Sequence, residues 1–227
     1  MVFPRPIRAV VFDMDGLLVD TEVLIRDLMM ELAPTFGAAL PHAVFQRMVG
    51  LPNAESDAVA RAHFGPAFPL DEFGRALEAR VHTACEAGVA LKAGVVELLD
   101  HLDAGAIPRA IATSSSHRAV GRTLGPSGIL PRFHAVVAAG DYARGKPNPD
   151  PFLTAASRLG ADPAHCLALE DSHNGVRAAH AAGMMTVMVP DVLEATDEMR
   201  EKALAIAESL HDVRAMMLTP AAAARRP

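Results

Sequence analysis

VVFDMDGLLVDTE, at residues 10–22, is the stretch that decides the fold of this chain. It opens with an apolar run at 10–12, which is typical of a buried strand. Two carboxylates, Asp13 and Asp15, follow this run, and Gly16 comes directly after them. Open α/β sheets bind ligands beyond the carboxyl ends of their strands, so the pattern predicts a strand that brings two acids to one small volume. One acid can act as a nucleophile or bind a hard cation, while the other transfers a proton or offers its backbone carbonyl to the same cation. The alternative is an ordinary Asp/Gly turn after a strand.

The composition limits the classes of function that the chain can have. With 227 residues, 51% of them hydrophobic, it can form one large domain with or without a small insertion. The net charge is −6 and acids and bases are interspersed, so we expect neither a nucleic-acid partner nor a membrane partner. The cysteines, Cys85 and Cys166, have no spacing that indicates a disulfide framework or a zinc site. We find no signal peptide and no long apolar run, and we expect a monomeric, cytoplasmic protein.

The residues that follow the opening strand have helical spacing. Glycines and prolines divide them into four stretches, and we find no convincing strand before Gly88. We therefore predict an all-helical insertion at 22–88, from which residues 89–94 lead back to the main domain. The predicted helices are at about 23–36, 41–48, 54–64 and 71–87.

From Gly94 onward, helices and strands alternate, which is the pattern of a parallel sheet built from β-α-β units. The core domain would then comprise residues 1–21 and 89–219, and the tail at 220–227 is predicted to be disordered. Since crossovers in such sheets are right-handed, all the strands would end at one edge. The predicted strands are at 107–113, 135–139, 166–170 and 185–189, and the predicted helices at 94–104, 116–124, 149–159 and 173–182.

Polar side chains follow these strands and could form one site. Thr113 and Ser114 open a run of hydroxyls at a helix start, which suits a phosphate or simply caps the helix. Lys146 lies in a turn fixed by prolines, and it either neutralises a phosphoryl oxygen or is an ordinary loop lysine. Glu170 and Asp171 end a buried strand, where adjacent carboxylates repel each other unless a cation such as Mg²⁺ lies between them and the first acids. Together these residues predict a cage around a metal and a phosphate.

Four short motifs carry a resemblance to a known family. They are FDMDG at 12–16, ATS at 112–114, GKPNP at 145–149 and LEDS at 169–172. In order and context they resemble the motifs of haloacid-dehalogenase-superfamily phosphatases with a helical cap, over roughly residues 7–212. The fold expected from this resemblance is α/β, a Rossmann-like parallel-sheet core with an inserted all-helical cap domain.

The resemblance also implies roles for residues. Asp13 would be the nucleophile that forms an aspartyl-phosphate and Asp15 the general acid/base. The phosphoryl group would be bound by Thr113, Ser114 and Lys146. The implied cofactor is Mg²⁺, bound by Asp13, the Asp15 backbone carbonyl, Glu170 and Asp171.

The expected function is hydrolysis of a small phosphorylated metabolite, and GLLVDTE, IATSSS and GMMTVMVP most resemble pseudouridine-5′-phosphatases and sugar-phosphate phosphatases. An acid at Asp15 disfavours dehalogenases and phosphonate-cleaving relatives. The alternative is a sugar-phosphate mutase similar to β-phosphoglucomutase. Such mutases carry basic cap residues where this chain has VGLPN at 49–53, and a cap histidine where it has Ile25. A third interpretation is a non-enzymatic binding protein with a phosphatase fold. It predicts the loss of at least one of the residues that form the metal and phosphate cage, and none is lost.

Overall fold

The protein is built on a single parallel sheet, seen in a computed structural model that describes residues 3–49, 51 and 53–219. The strand order is β3-β2-β1-β4-β5-β6, so the strand of the opening stretch is central. Strand β1 is buried along its whole length, as expected for a parallel sheet covered on both faces. The strands are β1 Ala9–Phe12, β2 Arg109–Ser116, β3 Ala135–Ala139, β4 Cys166–Glu170, β5 Met185–Met188 and β6 Ala205–Ile206.

Helices cover both faces of the sheet. The helices that lie between β1 and β2 along the chain form a separate layer. Within the described residues they are α1 Thr21–Leu32, α2 His42–Gln46, α3 Asn53–Phe64, α4 Leu70–Ala87, α5 Val95–Ala104, α6 His117–Leu124, α7 Asp150–Arg158, α8 His173–Ala181, α9 Asp197–Lys202 and α10 Leu210–Leu218. The core beneath one face is formed with α5, α6 and α10, and the core beneath the other with α7 and α8. No helix among the residues described is both long enough and apolar enough to cross a membrane.

The pairing of β1 with its two neighbours brings the motifs to one edge of the sheet. Phe12 is aligned with Ile111 on β2 and with Leu169 on β4. The backbone N–H of Asp13 then donates to the Leu169 carbonyl at 2.9 Å. Because all three strands run in the same direction, the residues that follow them lie together at this edge.

Helices α1–α4 belong to the predicted insertion, and they have an apolar core of their own, which includes Met29, Leu32, Phe45 and Phe73. Two antiparallel linkers join this layer to the sheet. The Asp20 N–H donates to the carbonyl of Ala90 at 3.1 Å, and the Lys92 N–H donates to the carbonyl of Leu18 at 3.0 Å. The predicted α/β fold with helices inserted after β1 is confirmed; the division into domains at 22–88 stays a prediction.

Most of the predicted elements are present, with shifts at their ends. Strand β2 begins at Arg109, two residues later than expected, and continues to Ser116. Helix α1 ends at Leu32 and a 3-10 turn follows to Phe36. Strand β6 and helices α9 and α10 are not predicted from the sequence, since their short and mixed patterns carry little periodic signal. Gly50, Pro52 and the tail at 220–227 lie outside the described residues, so the predicted disorder of the tail is untested.

Candidate active site

Asp13 and Lys146 form the centre of the edge site. Asp13 is 7% exposed, and its Oδ1 atom accepts a hydrogen bond from Lys146 Nζ at 2.5 Å. The same ammonium contacts Glu170 Oε1, so one cation lies between two buried carboxylates. Burial alone would lower the pKa of Lys146, but the charges of Asp13 and Glu170 outweigh burial and raise the pKa above its ordinary value. Lys146 is therefore a fixed positive charge beside the candidate nucleophile.

Asp15 is surrounded by hydroxyl groups. Its Oδ1 atom accepts from Thr21 Oγ1 at 2.9 Å, and its Oδ2 atom accepts from Ser115 Oγ at 2.8 Å and from Thr113 Oγ1 at 3.5 Å. Burial, followed by the charge of Asp13, raises the pKa of Asp15, while the bonds from Ser115 and Thr21 lower it. This environment favours a carboxyl group that can hold a proton and release it again, which is what an acid/base catalyst needs.

Glu170 is held in place by the start of helix α8. Its Oε2 atom accepts from the backbone N–H groups of Asp171 and Ser172 and from Ser172 Oγ, each at 3.1 Å. Ser172 also caps the helix by accepting from the Gly175 N–H at 3.0 Å. A Cβ atom at Gly175 would collide with the Glu170 carboxylate, so only glycine fits there. Capping and site formation thus occur together at this helix start.

Three carboxylates fit a divalent cation. Asp13, Glu170 and Asp171 each offer an oxygen, and these atoms all lie within 4.8 Å of one another. Asp171 Oδ1 is buried and has no hydrogen-bond partner among the described residues. Burial, then the charges of Glu170 and Asp13, raises the pKa of Asp171 well above its ordinary value. An unpartnered buried carboxylate oxygen within a cluster of acids is the environment that a hard cation such as Mg²⁺ would relieve.

A cavity of about 530 Å³ between the sheet edge and the helical layer is lined by Asp13, Asp15, Lys146 and Asp171. Ser114 lies on its wall, and Tyr142 fixes the neighbouring backbone by donating from its hydroxyl to the Thr113 carbonyl at 3.1 Å. Among the described residues of the helical layer, Glu22, Ile25, Val49 and Leu51 line the wall.

The structure thus brings every sequence-predicted site residue to one edge of the sheet, and it adds three that the sequence analysis did not select. Ser115 and Thr21 bind Asp15, and Glu22 lines the cavity. Burial, with the charges of Asp15, Asp191 and Asp13, raises the pKa of Glu22 to about 7. The available signal was local: Ser115 lies in the hydroxyl run after β2, and the other two lie in the opening stretch.

Comparison with known proteins agrees with this geometry. The sequence-family model of the haloacid dehalogenase-like hydrolases matches residues 7–183. The chain belongs to this family. The resemblance found from the four motifs is therefore confirmed.

Two curated relatives are phosphatases by name. The chain is 36% identical over 193 residues to a probable pseudouridine-5′-phosphatase of Drosophila melanogaster, covering 82% of this chain and 83% of the relative. It is 32% identical over 184 residues to a fructose-1-phosphate phosphatase of Escherichia coli, covering 79% and 94%. The protein is a phosphoric monoester hydrolase.

Solved structures show the same architecture over nearly the whole chain. A hydrolase of this family from Deinococcus radiodurans, with bound phosphate and sodium, has a TM-score of 0.79 at 28% identity and covers 95% of this chain and 99% of its own. A putative β-phosphoglucomutase from Thermotoga maritima has a TM-score of 0.78 at 27% identity, covering 93% and 100%. The same fold therefore occurs in proteins named as hydrolase and as mutase.

Proposed function

We propose that this phosphatase hydrolyses a small phosphorylated sugar or a nucleoside-5′-phosphate-like metabolite through an aspartyl-phosphate on Asp13, with Mg²⁺ as cofactor. The observation that carries the proposal is the pairing of the Asp13 carboxylate with Lys146, two residues from a partly buried, hydroxyl-bound Asp15. Attack by a carboxylate on a phosphate ester is repulsive, so positioning and charge compensation must supply most of the catalysis.

In the first step, an Asp13 oxygen forms a bond to phosphorus while the bond from phosphorus to the ester oxygen breaks. Asp15 gives its proton to that departing oxygen, so an alcohol leaves. In the second step, Asp15 takes a proton from water, and the resulting hydroxide attacks phosphorus and releases Asp13 and inorganic phosphate. Because the pKa of Asp15 is raised in the fold, the residue can occupy both protonation states during one cycle.

The phosphoryl oxygens would be bound by Lys146, Thr113 and Ser114. Mg²⁺, when bound, would neutralise phosphoryl charge. Its proposed ligands are the side chains of Asp13, Glu170 and Asp171 and the backbone carbonyl of Asp15.

We further propose that residues 22–88 act as a cap domain that selects the substrate. The described part of the insertion presents an acid and three apolar side chains to the cavity, Glu22, Ile25, Val49 and Leu51, and no basic one. A second phosphate would therefore meet apolar groups and a carboxylate on the cap side, which favours a single-phosphate substrate. A mutase of the β-phosphoglucomutase type is the alternative, and the similarity to the Thermotoga maritima structure keeps it open.

The decisive experiment is a phosphate-release assay on a panel of phosphorylated metabolites, including pseudouridine 5′-phosphate and fructose 1-phosphate, with Mg²⁺ and again with chelator. We expect Mg²⁺-dependent release that Asp13→Asn abolishes without loss of fold. Asp71→Asn, at an 83% exposed side chain, should keep the wild-type rate. A near-normal rate for Asp13→Asn removes the aspartyl-phosphate mechanism, and isomerisation of a sugar phosphate faster than phosphate release, with a bisphosphate activator, selects the mutase. The monomeric state, the cytoplasmic location and the absence of nucleic-acid and membrane partners stay predictions.

A further inference from the structure

The loop after β5 places another buried carboxylate beside the site. The side chain of Asp191 is only 8% exposed. Its Oδ1 atom accepts from Lys92 Nζ at 2.5 Å, whereas its Oδ2 atom is buried without a hydrogen-bond partner among the described residues. Leaving a buried carboxylate oxygen without a donor is unfavourable, and native structures rarely do so without a reason.

The unpartnered oxygen lies near the carboxylate of Asp171, one of the proposed metal ligands. A Cβ atom at Gly16 would collide with Asp171 Oδ2 and would lie 3.3 Å from Asp191 Oδ2, so the two carboxylates approach the same point on the backbone. The other oxygen of Asp171, Oδ1, is itself buried without a hydrogen-bond partner among the described residues. Two neighbouring acids, each with one unsatisfied oxygen, repel each other unless positive charge or hydrogen-bond donors lie beside them.

We propose that Asp191 is a positioning residue of the Mg²⁺ site: its Oδ2 atom accepts a hydrogen bond from a water molecule on the cation that Asp13 and Asp171 bind. This inference rests on the proposed function, because it assumes that cation. Partners of this kind orient the ligands of a metal, and their loss typically weakens metal affinity about 10–100-fold.

Lys92 holds Asp191 in this orientation. It lies on the linker that returns from the helical layer, and its ammonium also contacts Asp20 on the outgoing linker, at 3.5 Å. Val192, the next residue in the loop, packs against the apolar core of the helical layer. Asp191 is thus held by the return linker and by the packing of its own loop, with its second oxygen near Asp171.

Asp20 provides a matched control. It is a carboxylate on the same lysine, but its side chain is 39% exposed, against 8% for Asp191. Asp191→Asn and Asp20→Asn each remove one negative charge from Lys92, and only the first removes the acceptor beside Asp171. Lys92→Gln breaks both ion pairs and leaves the Asp191 carboxylate in place.

The experiment is calorimetric titration of metal-free protein with Mg²⁺ in the absence of substrate, together with the melting temperature of each metal-free variant. We expect Asp191→Asn to bind Mg²⁺ about 10-fold more weakly than wild type, and Asp20→Asn to bind it as tightly as wild type. Metal-free Asp191→Asn should melt lower than wild type by less than Lys92→Gln does, because the amide loses the ion pair with Lys92 but also removes a repulsion with Asp171. Metal-free Lys92→Gln should melt lower than wild type, because it loses the ion pairs with both Asp20 and Asp191.

The outcomes separate this inference from the function on which it rests. If Asp191 serves only as an anchor for the linkers, Asp191→Asn and Lys92→Gln lower metal-free stability alike and leave Mg²⁺ affinity unchanged, which overturns the inference. Wild-type binding of Mg²⁺ with an unchanged Asp191→Asn affinity overturns the inference alone. A wild type that binds no Mg²⁺ overturns the proposed metal site and the inference together.

Discussion

Replacing Lys146 with methionine should produce a stability loss that depends on pH. Lys146, Asp13 and Glu170 have side chains only 7%, 9% and 0% exposed, so solvent screens their contacts very little. Removing one partner from a buried ion pair typically costs about 3–5 kcal/mol, because the remaining charge is left uncompensated. For a domain of this size, that loss lowers the melting temperature by roughly 6–20 °C.

The pH dependence follows from Glu170. Burial raises the pKa of Glu170, and Lys146 lowers it, so the Lys146→Met variant raises that pKa further. A carboxyl group whose pKa is higher in the folded than in the unfolded state binds more protons when folded, and stability falls as pH rises between the two values. The deficit relative to wild type should therefore be smaller near about pH 5 than near about pH 8, because it grows as pH rises through about 7, where Glu170 titrates in the wild type.

Urea unfolding of metal-free wild type and Lys146→Met at both pH values measures this difference. Lys202→Met is the matched control, because Lys202 forms a surface pair with Glu198 at 4.0 Å, which is worth at most about 1 kcal/mol. A Lys146→Met deficit that is equal at the two pH values, or no larger than that of Lys202→Met, would refute the reasoning.

Three further predictions concern proton transfer, metal binding and the linker. Ser115→Ala removes a bond that stabilises ionised Asp15, so the limb of the pH–rate profile that reports Asp15 should move up by about one pH unit; an unchanged profile contradicts this role. The pKa of Glu22 rises from 4.5 to about 7 on folding, so the folded metal-free protein binds more protons and its melting temperature should fall as pH rises through that window. Saturating Mg²⁺ should raise the melting temperature, and scanning calorimetry measures both effects. Gly94→Ala should lower the free energy of unfolding by roughly 2–4 kcal/mol in urea, since φ is +88° and a Cβ would collide with the backbone at the start of α10. Gly37→Ala is the control: its φ is +72° but the space around it is open, so its free energy of unfolding should fall by only about 1–2 kcal/mol.

The sequence by itself determined which side chains lie at the edge of the sheet. Strand and helix periods alternate along the chain, and parallel strands all end on the same side, so Asp13, Thr113, Lys146 and Asp171 could be placed together before any coordinates were known. The glycine after Asp15 and the prolines after Lys146 are local signals of the turns that aim these groups.

Only the tertiary structure decided which polar atoms of the site are satisfied and which are not. Strand register brings Ser115 to Asp15, and packing of the loop after β5 brings Asp191 beside Gly16. The sequence likewise indicates no acid partner for His117, yet its Nε2 atom lies 2.8 Å from Oδ2 of Asp141, which is 24 residues further along the chain. Such contacts join segments that are distant along the chain, and their geometry depends on register and loop packing rather than on any local periodicity.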